Sequence, residues 1–129
     1  MNHRHALLML ALSLAVVQGC TMLRSASAPD LPLTANVIRI SDEFANINTD
    51  VSGKTLAAAG IDRGSMFRAH FGDESIDVFF GDDYGDVDRG KWVGLIETDG
   101  KLQLAVSFGH AATVLGCDVG DHLLIAPLP

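Results

Sequence analysis

Asp82, Asp83, Asp86 and Asp88, spaced by Tyr84, Gly85 and Val87, form the densest run of carboxylates in the chain. Hard cations such as calcium take oxygen ligands of this kind. Counted from Asp86 as the first position of an EF-hand loop, Asp88 and Glu97 fall in register. Gly90, however, takes the place of the third acid, and Lys91 stands where the sharp turn needs glycine. The run therefore reads as a solvated turn between strands. His70, His110 and His122 make no HxH or HxxxH pair, and zinc needs three or four convergent ligands. Cys117 sits beside the apolar Val114-Leu115 and reads as a small buried hydrophobe. No GxSxG, HExxH or phosphate loop occurs, and Gly109-His110-Ala111-Ala112 is no glycine-rich cradle. Spacing alone nominates no catalytic residue and no metal ligand.

The other cysteine has a different setting. Arg4 precedes an apolar stretch, Ala6 to Val17, interrupted only by Ser13. About 7–15 such residues suit the core of an export signal, whereas a membrane-crossing helix needs ~20. Val17-Gln18-Gly19-Cys20 then resembles a bacterial lipobox, which implies cleavage before Cys20 and acylation of its thiol with palmitate-type chains. Each buried methylene contributes about 0.8 kcal/mol, so several chains hold a protein on a bilayer firmly where one does not. Thr21 follows, and by the sorting rules of such lipoproteins the absence of an Asp there implies the outer membrane, facing the periplasm. The expectation is a signal peptide over 1–19 and a tether over 20–33, rich in Ser, Ala and Pro. The folded domain then occupies 34–129.

Short strands and tight turns fill that domain. Val37 to Ile40 is a β-branched run, and Phe67, Ala69 and Phe71 alternate with Arg68 and His70. Ile76, Val78 and Phe80 alternate about Asp77 after a Gly72-Asp73 turn, which predicts a hairpin. Trp92 to Ile96 and Lys101 to Val106 flank an Asp99-Gly100 turn, and His122 to Ala126 is the last strand. Thr55 to Ala59 and Ala111 to Leu115 read as short helices, too brief to build a core. The fold class is all-β, a small β-barrel with one or two short helices, since closure removes exposed sheet edges.

The whole chain has 129 residues, 48% of them apolar, and a formal net charge of -7. That apolar content excludes a disordered acidic tail. Sixteen acids against nine Lys and Arg exclude a nucleic-acid partner, whose phosphates require a basic face.

Four segments in order are similar to one family, the S-adenosylmethionine hydroxide adenosyltransferases with their fluorinase and chlorinase relatives. Asp42 to Asp50 (DEFANINTD) resembles D-x-F-G-N-x-x-T-N, and Asp83-Tyr84-Gly85-Asp86-Val87 with Gly90 resembles T-Y-x-D-V-x-x-G. Thr98 to Val106 (TDGKLQLAV) resembles S-x-G-x-L-E-I-A-V, and Gly109 to Ala112 through Gly120-Asp121 resembles G-x-A-A…G-D. The resemblance spans about Val37 to Ile125 and implies the family's C-terminal barrel. In full-length members an α/β N-terminal domain precedes the barrel and supplies the groups that activate water. Trimers place each active site between one subunit's N-terminal domain and a neighbour's barrel. Here a signal peptide and tether stand in that domain's place, so the resemblance implies no catalysis by the chain alone and no bound cofactor. S-adenosylmethionine or adenosine is the implied ligand. Phe44, Asn46, Tyr84, Thr98 and Phe108 fall where family members line its nucleoside and methionine ends.

Three positions depart from the family pattern. Ala45 replaces a glycine, Asp50 replaces an Asn, and Asp99 stands where halogenating members carry Arg, an exchange that repels a carboxylate. The reading is a lipid-anchored, non-catalytic domain that binds an adenosyl-type ligand or a protein partner. Its alternatives are one half of a split S-adenosylmethionine hydrolase, completed by an α/β protein, and a structural envelope lipoprotein. Homo-oligomers are implied by the family's trimers.

Overall fold

The computed structural model describes residues 32–129. The signal peptide, Cys20 and all but the end of the tether lie outside the described residues. Seven strands follow: β1 (Leu33–Ile40), β2 (Ile47–Ser52), β3 (Met66–Phe71), β4 (Glu74–Phe80), β5 (Trp92–Ile96), β6 (Lys101–Val106) and β7 (His122–Pro127). Two short helices, α1 (Gly53–Ala58) and α2 (Ala111–Leu115), decorate them. The strands close into a barrel in the order β1-β2-β6-β5-β4-β3-β7. The barrel begins one residue ahead of Thr34. No helix among the described residues is long and apolar enough to cross a membrane.

Alternation of side chains decides what fills the barrel. Phe67, Val78, Leu102, Leu104, Leu123 and Ile125 are fully buried and point inward. The Phe67 and Phe80 rings meet edge to face, 6.4 Å between centroids. Phe67 also passes close to β5: a Cβ on Gly94 would lie 3.0 Å from its Cζ and 3.1 Å from Leu102 Cδ1. Glycine at that place is what lets a phenylalanine occupy the middle of so narrow a barrel. Ser52 caps α1 by accepting from the Thr55 amide at 3.1 Å. Gly116, at φ 78°, ends α2 in the left-handed conformation.

Two features depart from the sequence reading. β2 is a strand, although the polar Thr49 holds its middle inward position and its segment carries no apolar run. β4 and β5 pair in parallel, Val78 opposite Trp92 and Phe80 opposite Gly94. Every other pairing is antiparallel. A parallel joint cannot be made by a tight turn, so residues 81–91 climb back along the outside of the barrel. Beneath them a second apolar cluster forms from Val93, Leu95 and Ala105, with Phe79 and Val87 against it.

On the outer face of β1, Asp50 accepts from the Asn36 backbone amide at 2.8 Å and from Asn36 Nδ2 at 2.7 Å. These bonds tie β2 to β1. Asn36 holds the Asp50 carboxyl below the usual carboxylate range. Its contribution is present above the ordinary carboxylate pKa and fades as pH falls through the lowered value; exposure keeps it small.

Cys117 is buried, and burial together with Asp121 pushes its thiol up to about 11. Alkylation of this thiol at pH 8 is therefore expected to run roughly a hundredfold slower in the native protein than after denaturation, read by mass shift over time. Gly94→Ala is expected to cost about 1–3 kcal/mol in a denaturant titration through collision with Phe67 and Leu102. A neutral result would show that the interior has room to spare.

Candidate functional site

Three chain segments build one cleft. β1 carries the chain from Leu33 to Ile40, and the loop 41–46 then turns it back into β2. Ser41 closes that loop: its amide donates to Asn46 O at 3.0 Å, its carbonyl accepts from the Ala45 amide at 3.0 Å, and its hydroxyl accepts from the Asn46 amide at 2.9 Å. The Ala112 amide donates to Ala45 O at 2.8 Å and fastens the loop to α2. The second segment runs from Val106 to Gly109 off the end of β6. The third is the crossover, where Tyr84 opens a 3₁₀ turn, Tyr84–Asp86. Phe44, Asn46, Tyr84, Val106, Ser107, Phe108 and Gly109 enclose a cleft of about 190 Å³.

Two carboxylates of the acidic run serve the crossover's own backbone, and Asp82 pairs with Arg63. Asp83 accepts from the Gly85 amide at 3.0 Å, and Asp86 Oδ2 accepts from the Asp82 and Asp83 amides at 2.7 and 3.0 Å. Carboxylates engaged in this way shape the turn that carries Tyr84. Among the described residues no group of three or more His, Cys, Asp or Glu converges as metal ligands would.

Polar side chains just ahead of β2 and on the outer face of β6 are buried because the loop and crossover cover them. Asn46 is 4% exposed and Gln103 5%. Tyr84 Oη donates to Gln103 Oε1 at 2.9 Å, and Asn46 Nδ2 donates to Tyr84 Oη at 3.1 Å and to Gln103 Oε1 at 3.3 Å. Asn46 Oδ1, sealed from solvent, is the one buried side-chain polar atom without a partner among the described residues. Such an acceptor costs about 1–3 kcal/mol until a donor reaches it. Burial, and then Glu97, push the Tyr84 phenol up, against the hydrogen bond from Asn46.

The rim is apolar and strained. Phe44 is 52% exposed and Phe108 80%. Phe108 has φ 57°, a left-handed backbone unusual for a bulky residue, and strain of this kind collects at binding sites. The Arg89 guanidinium lies 4.5 Å from its ring centroid and covers one face. Ala45, in the place of the family's glycine, has φ 50°.

Of the residues singled out by resemblance, Phe44, Asn46, Tyr84 and Phe108 meet at this cleft. Thr98 does not line it and lies exposed in the β5–β6 turn. Asp99 accepts from the Lys101 amide in that same turn, and Asp50 is on the β1 side of β2, bound to Asn36. Alternation along β6 assigns Gln103 to the solvent side; only the covering crossover reveals it as part of the site.

A small closed barrel with an aromatic-rimmed cleft, whose lining includes the Asn46 amide, defines the class of fold and site. Residues 35–124 match the family model described as the SAM hydroxide adenosyltransferase C-terminal domain, and the chain belongs to that family. Among solved structures it is similar to an uncharacterized conserved protein from Thermotoga maritima, with 26% identity and TM-score 0.68 over 74% of this chain and 36% of that one. A conserved hypothetical protein from Thermus thermophilus is similar at 26% identity and TM-score 0.50, over 71% of this chain and 34% of that one. The chain thus spans about a third of the length of either relative. No curated protein matches it.

Ala45→Gly removes a Cβ from a left-handed position and is expected to stabilise the protein by about 1 kcal/mol, seen as a raised melting temperature. A lowered one would show that the Ala45 methyl contributes packing that outweighs the strain.

Proposed function

We propose that this barrel is a binding module for an adenosyl-type ligand, S-adenosylmethionine or adenosine, held on a periplasmic membrane surface by a lipid on Cys20. The observation that carries the reading is a cleft rimmed by Phe44, Tyr84 and Phe108, with Asn46, whose Oδ1 lacks a partner, in its lining. Aromatic faces accept a purine ring, and the amide oxygen accepts a hydrogen bond from it. The lining holds no carboxylate and no imidazole, and the raised phenol of Tyr84 stays protonated at neutral pH. These side chains bind and orient; none is placed to activate water.

The lipid anchor fits the direction of the strands. The chain enters at Leu33, and the cleft lies beyond the far end of β1, so a membrane tether at the entry end leaves the cleft mouth free. A second reading draws on the open rim, where Phe44 and Phe108 stay largely exposed. An apolar rim of this kind suits a covering protein surface, and an α/β partner supplying the missing chemistry would make the pair a split S-adenosylmethionine hydrolase.

Calorimetric titration with adenosine and with S-adenosylmethionine is expected to show saturable binding. Asn46→Ala is expected to weaken adenosine by about tenfold or more. Absence of heat with both ligands removes the reading, and release of adenosine from S-adenosylmethionine by the chain alone would make it an enzyme in its own right. Intact-mass analysis of the membrane-extracted protein is expected to give an acylated Cys20 as first residue; a mature chain beginning at Thr21 would refute the anchor.

A further inference from the structure

A carboxamide can point either way, so the hydrogen-bonding sense of Asn46 must be imposed by something that cannot turn. Two such groups stand behind it. The Arg39 guanidinium only donates and the Asn46 backbone carbonyl only accepts. Asn48, 7% exposed, lies between them. Its Oδ1 accepts from Arg39 Nη2 at 3.3 Å and its Nδ2 donates to Asn46 O at 3.3 Å. Turning Asn48 over would break both bonds at once. Its oxygen therefore faces Gln103, which must present Nε2, and does so at 3.0 Å. Gln103 is left with Oε1 toward the cleft, where Tyr84 Oη and Asn46 Nδ2 both donate to it. Asn46 can meet that oxygen only with its amino group, and its own oxygen is thereby the atom left over.

We infer that Arg39, Asn48 and Gln103 form a relay that fixes the cleft as an acceptor site, so that it selects a base carrying an exocyclic amine over the same ring without one. The inference rests on the nucleoside reading above and adds to it the groups that set specificity. Gln103 and Asn48 do not line the cleft; they are positioning residues, acting through Asn46. An unrelieved buried acceptor disfavours a ligand with nothing to donate, and an Asn46 free to rotate would lose that discrimination.

The test is calorimetric titration of the full chain in detergent micelles with adenosine and with purine riboside, which lacks the exocyclic amine. The wild-type protein is expected to prefer adenosine by roughly tenfold or more. Gln103→Met removes the relay while keeping side-chain length, and the preference is expected to fall below about threefold. Gln103→Glu retains an acceptor facing Tyr84 and Asn46 and is expected to keep the preference, whatever it does to stability. Asn48→Leu breaks the relay one step farther back and serves in place of Gln103→Met if that variant shows no cooperative melt. Equal binding of both nucleosides by the wild type, or an unchanged preference in the relay-breaking variant, overturns the inference and leaves the nucleoside reading standing. Binding of neither nucleoside by the wild type overturns both.

Discussion

Parallel strands cannot be joined by a hairpin, and the single parallel joint in this barrel governs the rest. Because β4 and β5 run the same way, the chain must return along the outside before it can start β5. That return lays Val87 over the apolar wall of Val93, Leu95 and Ala105 and sets Tyr84 against Asn46 and Gln103. With an antiparallel β4–β5 joint, that wall would be solvent-facing and Gln103 an ordinary surface residue. The site is thus a by-product of how the sheet closes.

The burial of polar groups outside the barrel follows from the same closure. Asn46, Asn48 and Gln103 lie beneath a loop and a crossover, where each donor and acceptor needs a partner. Together with Tyr84 and Arg39 they satisfy one another in a fixed sense and leave one oxygen over. That oxygen belongs to a lining residue of the aromatic-rimmed cleft. The strained backbones of Ala45 and Phe108 flank the same cleft, so the local costs of the fold concentrate around it.

Family membership and the cleft bear on each other. The family model covers residues 35–124, and the solved relatives extend well beyond the matched part. What this chain shares with them is the barrel, and in this chain aromatic faces and the Asn46 amide line the cleft at its end.

Period-two alternation makes β3, β4 and β6 legible, because inward residues must be apolar and glycine-marked turns must separate the strands. The short helices are legible from their length, and Cys117 from its apolar neighbours. β2 is hidden because Thr49, not an apolar residue, holds the middle inward position between Ile47 and Val51, which leaves its alternation weak. Phe44, Asn46, Tyr84 and Phe108 are reached through family likeness, which carries no distances; Thr98, drawn from the same likeness, stands apart from them. The order of residues determined by itself the all-β class, the inward apolar set and the acidic character. Which strand lies beside which, that the joint between β4 and β5 is parallel, and which amide oxygen is left without a donor were decided only in three dimensions. Those properties arise from contacts between segments as far apart in sequence as Leu33 and Ile125, and no local pattern in a chain encodes what will be laid over it.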